Sequence, residues 1–269
     1  MTAAQRRRRA ARVAAGAALA GLLLVACQAS GPAAPEAADD LSSRLDLLLG
    51  RHVHDGLVDY AALKADPDLG RCLDVARGAE PDQLASRSEK LSFWINAYNL
   101  AALEGVATAY PVRSVREIGQ MGRFTFFRGL KVTLGGRECT LDTILHKILR
   151  PEFHEPRVHF AIVAASRGGP RLRSASFHGA TLEEELDAAA RAFMADPGRV
   201  RLDRGQGILY LSQIFDWFGE DFDRTAGSSA AYVARYFSAE DAAFVARGSI
   251  AIRYLDFDWS LNDGSAHAP

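Results

Sequence analysis

The apolar positions of the chain fall mostly into helical spacing, with a few short stretches of strict alternation. Leu45, Leu48 and Leu49, behind Asp39 and Asp40, predict a first helix over 41–49. Ala61 to Lys64 and Gly70 to Ala76 predict two more, separated by Pro67. The strongest signal runs from Glu89 to Tyr110. Leu91, Trp94, Ile95, Tyr98, Ala101, Ala102 and Val106 cover one broad face, Phe93, Ala97 and Leu100 extend it, and Pro111 ends it. At about 100° per residue, Glu89, Ser92, Asn96 and Asn99 form the remaining polar strip of a mostly buried helix. Buried amides are costly unless bonded, so the strip must meet another segment's backbone, ordered water or a ligand; internal hydrogen bonding is the plainer reading.

Leu130, Val132 and Leu134 alternate with Lys131 and Thr133, Gly135-Gly136 turn the chain, and Arg137 to Cys139 return as a hairpin. Thr140 caps a predicted helix that Pro151 stops after Arg150, with Asp142, His146 and Arg150 in a column along its margin. Val158 to Ala164 is a seven-residue apolar run that reads as a buried strand, ending in a small polar turn of Ser166, Arg167, Gly168, Gly169 and Pro170. A helix follows from Thr181 to about Asp196, then a second hairpin, with Val200 and Leu202 facing Ile208 to Leu211 across Arg204–Gly207. Ser212 is placed to cap a helix carrying Ile214, Phe215, Trp217 and Phe218. Short helices over 229–237 and 239–246 and a last strand over 250–255 precede Asp258-Trp259. With no regular strand–helix repeat, the expectation is an α+β fold: one helix-rich domain over 41–262 with a small, mostly antiparallel sheet and two hairpins, then a frayed tail over 263–269.

Ahead of that domain, Arg6 to Arg9 and Arg12 precede an apolar run, Val13 to Ala26, that is too short for a permanent span and has the flanks of a cleaved export signal over 1–26. Leu24-Val25-Ala26-Cys27 resembles the lipobox of bacterial lipoproteins, which implies that Cys27 is lipidated and becomes the mature N-terminus. Gln28 in place of aspartate resembles lipoproteins sent to the outer membrane, so the implied location is the cell envelope, on the periplasmic face of that membrane, held by a lipid anchor. Four consecutive arginines hint at twin-arginine export, but the rest of that motif is missing. Residues 27–40, mostly Ala, Pro, Gly, Ser and acid, read as a disordered tether.

Composition narrows the chemistry. A formal net charge of −1 with no basic block argues against nucleic acid as a partner. Of three cysteines, Cys72 and Cys139 remain once Cys27 is set aside; they either pair in an oxidising periplasm or stay as buried thiols. His52 and His54 would face one side of a strand, but no third metal ligand lies near, and nothing in the chain calls for a cofactor.

EKLSFWINAYN (89–99), TLDTILHKILRP (140–151), PRVHFAIVAAS (156–166), LSQIFDWFGEDF (211–222) and DWSLN (258–262) resemble, in order, the signature blocks of the domain of unknown function 547 family. The resemblance implies an extent covering nearly the whole mature domain and no settled activity. It also implies cysteines in the stretch here reading AASRGGP, in a pattern like asparagine-Cys-Ala-Ser-x-x-Cys-Pro. This chain carries Val163, Ala164 and Gly169 at those positions, so thiol chemistry is not expected of it.

Three classes of function follow. In a hydrolase or acyl-transfer enzyme, Ser166 would be the nucleophile, His146 or His159 the base, Asp142 the orienting acid, and the amides of Gly168 and Gly169 an oxyanion hole. In a binding module, Arg157, Arg167 and Arg171 with the Gly168 and Gly169 amides would hold a small anionic ligand, completed by Asn96 and Asn99. In an envelope scaffold, the surface would bind another protein. The two binding readings are favoured.

Overall fold

A computed structural model describes residues 41–119, 125–248 and 250–265, all within one unit spanning Ala38–Pro269. Cys27, the expected signal and the tether lie outside the described residues. In chain order the helices are α1 (Leu41–His52), α2 (Tyr60–Ala65), α3 (Pro67–Gly78), α4 (Arg87–Ala109), α5 (Thr125–Gly129), α6 (Leu141–Thr143), α7 (Val158–Ala161), α8 (Leu182–Met194), α9 (Ile214–Trp217), α10 (Gly219–Ala226), α11 (Ser229–Ala234) and α12 (Ala239–Ala246). The strands are β1 (Val53–His54), β2 (Leu57–Val58), β3 (Val132–Leu134), β4 (Arg137–Cys139), β5 (Val200–Asp203), β6 (Ile208–Ser212) and β7 (Ala251–Leu255). The fold is α+β, with the strands in three small separate sheets. Both predicted hairpins form, Leu134 pairing with Arg137 across Gly135-Gly136 and Asp203 with Ile208 across 204–207. Gly135 and Gly136 both have positive φ, 55° and 70°, as a two-residue turn of the hand that matches strand twist requires. β7 adds to β6 in parallel, on the side away from its antiparallel partner β5.

α4 is the axis of the larger core. Ser86 and Glu89 close a reciprocal capping box at its start, and sixteen of its residues are buried. A second core gathers Phe160, Phe193, Phe215, Phe222 and Tyr232. The segment expected as a strand from Val158 is instead one helical turn, α7, followed by extended backbone. Val158 and Ala161 pack into the first core and Phe160 into the second. A seven-residue apolar run is compatible with either form; a turn of helix lets successive residues face two cores, which one face of a strand does not.

Pro151 does not end the preceding helix. After α6 the chain continues from Ile144 to Phe153 as a π-helix with Pro151 inside it, ending at His154 with φ 48°. In an α-helix the proline ring would collide with the carbonyl four residues back, that of Lys147; the wider π turns carry it through.

The last described segment stitches the domain. Val58 N–H donates to the Asn262 carbonyl at 2.9 Å, Gly264 N–H to the Val58 carbonyl at 2.8 Å, and the Tyr60 hydroxyl to Asn262 Oδ1 at 2.8 Å. Asp263 to Ser265, expected as part of a frayed tail, are thus bonded to β2 and to Asp59.

Candidate functional site

The polar strip of α4 resolves into two backbone clamps. Asn96 accepts from Phe177 N–H at 2.9 Å and donates to the Phe177 carbonyl at 2.8 Å. Asn99 accepts from Val163 N–H at 2.9 Å and donates to the Ala161 carbonyl at 3.0 Å. Both amides are buried, so this bonding is the internal reading of the strip. Arg157 is likewise engaged, by Glu155, Glu183 and Asp187, and the Glu155 bond heads the causes that raise its pKa.

The 166–170 turn is a closed corner. The amides of Arg167, Gly168 and Gly169 donate to the carbonyls of Ser260, Asp258 and Ser166, at 2.9, 2.8 and 3.2 Å. The Arg199 guanidinium binds the carbonyls of Arg167, Gly168 and Gly169 from behind. A Cβ on Gly168 would sit 2.6 Å from the Asp258 amide nitrogen, so glycine is needed for that close approach. The expected cradle of free amides is therefore corrected: the amides of Arg167, Gly168 and Gly169 are all used by the protein's own backbone. The Arg167 guanidinium itself bonds the Asp263 carbonyl at 3.1 Å. The cavity beside this corner, about 420 Å³, sets Arg167, Arg171 and Arg199 against Asp55, Asp196, Asp256 and Asp258, a balance with no net preference for an anion.

Ala165 has φ 49°, a left-handed conformation unfavourable for a residue with a Cβ. The reversal there separates its neighbours: Ala164 lines a different, larger cavity, while Ser166 lines the corner just described. Ser166 is 3% exposed and its Oγ has no hydrogen-bond partner. Neither His146 nor His159 bonds it, so the expected serine triad is not assembled.

The larger cavity, about 460 Å³, does bring together Asp142, His146 and His159. Its floor is apolar, with Leu141, Leu145, Ile162 and Val163 buried beside Tyr98, whose hydroxyl burial keeps protonated. Its mouth carries an aromatic row: Phe127 meets Trp259 at 6.3 Å, Trp259 meets Phe257 at 4.5 Å, and both of those meet Trp217, at 5.7 and 4.9 Å. Arg116 lies 4.4 Å above the Trp259 ring.

His159, 2% exposed, stacks on Phe218 with centroids 4.1 Å apart. Its Nε2 lies 2.8 Å from Asp221 Oδ2, and Arg150 binds the same carboxylate with Nε at 2.6 Å and Nη2 at 3.1 Å. Burial raises the Asp221 pKa, but the bonds from His159 and Arg150 outweigh it and hold the carboxyl well below its usual range. Burial lowers the pKa of His159, so the ring is neutral at pH 7. A carboxylate only accepts; Nε2 therefore carries the hydrogen, and Nδ1 is left as a bare lone pair, buried and without a partner. His146, at the mouth, lies 3.9 Å from Asp142 and accepts from Arg150 at 3.1 Å through Nδ1; burial lowers its pKa too.

Asp221, Tyr98, Trp217 and Phe218 were not singled out by sequence reasoning as site residues; the signal available was their place in the 89–99 and 211–222 blocks. Of the histidine pair, His52 ends α1 and bonds Asp66 at 2.8 Å, and among the described residues no group of three or more His, Cys, Asp or Glu is arranged to hold a metal. Cys72 and Cys139 are both buried and free.

Fold and site define an α+β protein with an aromatic cleft over a buried carboxylate–imidazole pair. Residues 81–194 match the model of the family described as Protein of unknown function, DUF547. That span holds α4, the π-helix and His159, but not Asp221 or the tryptophans of the mouth, so the match is narrower than the block resemblance implied. No curated protein and no solved structure matches the chain.

Proposed function

We propose that the protein is a lipid-anchored component of the cell envelope whose domain binds a small molecule in the aromatic cleft. The observation that carries the binding reading is the cleft itself: a concave, largely apolar cavity of about 460 Å³ with few polar groups, the form small-molecule sites take. Ala164 stands in its wall where the family resemblance implies cysteine, which supports binding without thiol chemistry. The envelope placement rests on the arginine-flanked apolar run and Cys27.

The test is a calorimetric screen of envelope metabolites and aromatic compounds against the protein and its Trp217→Ala variant. Trp217 is 41% exposed at the mouth, so its removal leaves the fold intact and weakens a cleft ligand about tenfold. Ligands that bind the variant undiminished would place binding elsewhere. Cys27→Ala should release the protein from the membrane fraction; a variant that stays bound would refute the anchor.

A further inference from the structure

Resting on the cleft reading, we infer that the mouth of the cleft takes a neutral pyranose oligosaccharide, with a sugar ring stacked on Trp217 and its hydroxyls met by Gln213, Asp142 and His146. A pyranose presents two surfaces at once. Its ring face is a sheet of C–H bonds that packs on an aromatic plane, and its rim carries hydroxyls, each of which both donates and accepts. The mouth offers partners for both. Trp217 is 41% exposed, a large apolar ring left facing water, with Phe257 and Trp259 beside it at 4.9 and 5.7 Å. Phe127, Trp259 and Trp217 follow one another at 6.3 and 5.7 Å, a spacing comparable with that of successive sugar rings, so more than one unit of a chain is accommodated.

Three polar side chains lining the cleft have hydrogen-bonding capacity to spare, and none of the three is buried. Gln213 is half-buried, and its amide bonds nothing among the described residues, which leaves two donors and an acceptor. Asp142, with its side chain 34% exposed, gives Oδ1 to Arg128 at 3.2 Å and keeps Oδ2 as an acceptor. His146 accepts from Arg150 through Nδ1, so in the neutral ring Nε2 carries the hydrogen. That nitrogen lies 3.9 Å from Asp142 Oδ1, beyond bonding distance, on a side chain 36% exposed. Charge points to a neutral ligand. Asp142 is the single carboxylate lining the cleft and is already paired with Arg128, so a cation finds no unpaired partner there, while the Arg116 guanidinium lies 4.4 Å above the Trp259 ring.

Isothermal titration of the full chain with cellotriose and with N,N′,N″-triacetylchitotriose, neutral trisaccharides with flat C–H faces, tests this. At least one should bind with a Kd below about 1 mM. Trp217→Ala should weaken that binding about tenfold and Gln213→Ala about fivefold, the value of one hydrogen bond. Neither change disturbs the fold, since Trp217 lies at the surface and the Gln213 amide holds nothing in place. Trigalacturonic acid, an acidic trisaccharide, should bind no better than the neutral pair. Binding of neither neutral trisaccharide, undiminished binding in either variant, or a preference for the acidic probe overturns the inference. If the sugars fail while an aromatic compound still loses affinity in Trp217→Ala, the cleft reading stands without them; if that compound fails as well, both readings fall.

Discussion

Replacing Asn99 by alanine should be among the most damaging single changes in the domain. Its side chain is 5% exposed and holds two backbone groups, Val163 N–H and the Ala161 carbonyl, that have no water to turn to. Each orphaned group costs about 1–3 kcal/mol, so the expected loss is about 4 kcal/mol. That is a large fraction of the roughly 5–15 kcal/mol by which domains are stable. In urea, with a slope of about 2–3 kcal/mol per molar, the midpoint should fall by roughly 1.3–2 M. Ser92→Ala on the same strip is the control: its hydroxyl only bonds back to the Glu89 carbonyl at 3.0 Å, and its loss should cost under about 1 kcal/mol. Asn99→Ala should also loosen Ile162 and Val163 in the cleft floor, so ligand affinity should fall in the folded variant. Equal midpoints for Asn99→Ala and Ser92→Ala would refute the clamp.

Two further outcomes follow from charge and burial. Because His159 is held neutral, the unfolded chain binds the extra proton, so its contribution to stability is complete above about pH 6.5 and is lost as pH falls below it. Asp221, with its pKa held down, contributes above about pH 4 and loses that contribution at lower pH. Melting temperature against pH should thus decline in two stages, and His159→Phe should flatten the first; superimposable profiles would contradict the assignment. Burial pushes the Cys72 thiol up to about 11 and raises Cys139 as well, so neither should be alkylated in the native protein at pH 8. Mass spectrometry that finds prompt labelling, or a peptide linking the two, would disprove the free buried thiols.

Much of the fold was legible because it is local. α4, both hairpins and the Thr140 cap announce themselves through spacing, glycine pairs and a hydroxyl ahead of an apolar run. The π-helix was not, since Pro151 normally signals a stop and only packing decides that it is carried through. The run from Val158 misled for a related reason: its first residues bond within one helical turn, and the Ala161 carbonyl and Val163 N–H go to the Asn99 side chain, 64 residues away from Val163, and not to a strand. The site was half legible. Asp142, His146 and Arg150 form the column their spacing predicts, but Asp221 reaches His159 across 62 residues, and a partner at that range leaves no periodic trace. The glycine turn attracted attention for its unhindered amides, and it is those amides that Ser260, Asp258 and Ser166 consume.

The seam formed by 258–264 sets the order in which a newly made chain can finish. Until Asp258 and Ser260 have been synthesised, the corner after Ala165 lacks the carbonyls that hold its amides, and β2 lacks the partners it finds in Asn262 and Gly264. Polypeptide still attached to the ribosome short of that point carries an open seam running from one end of the domain to the other. Closure of that seam waits on residues 258–264, made long after the β2 strand they bond.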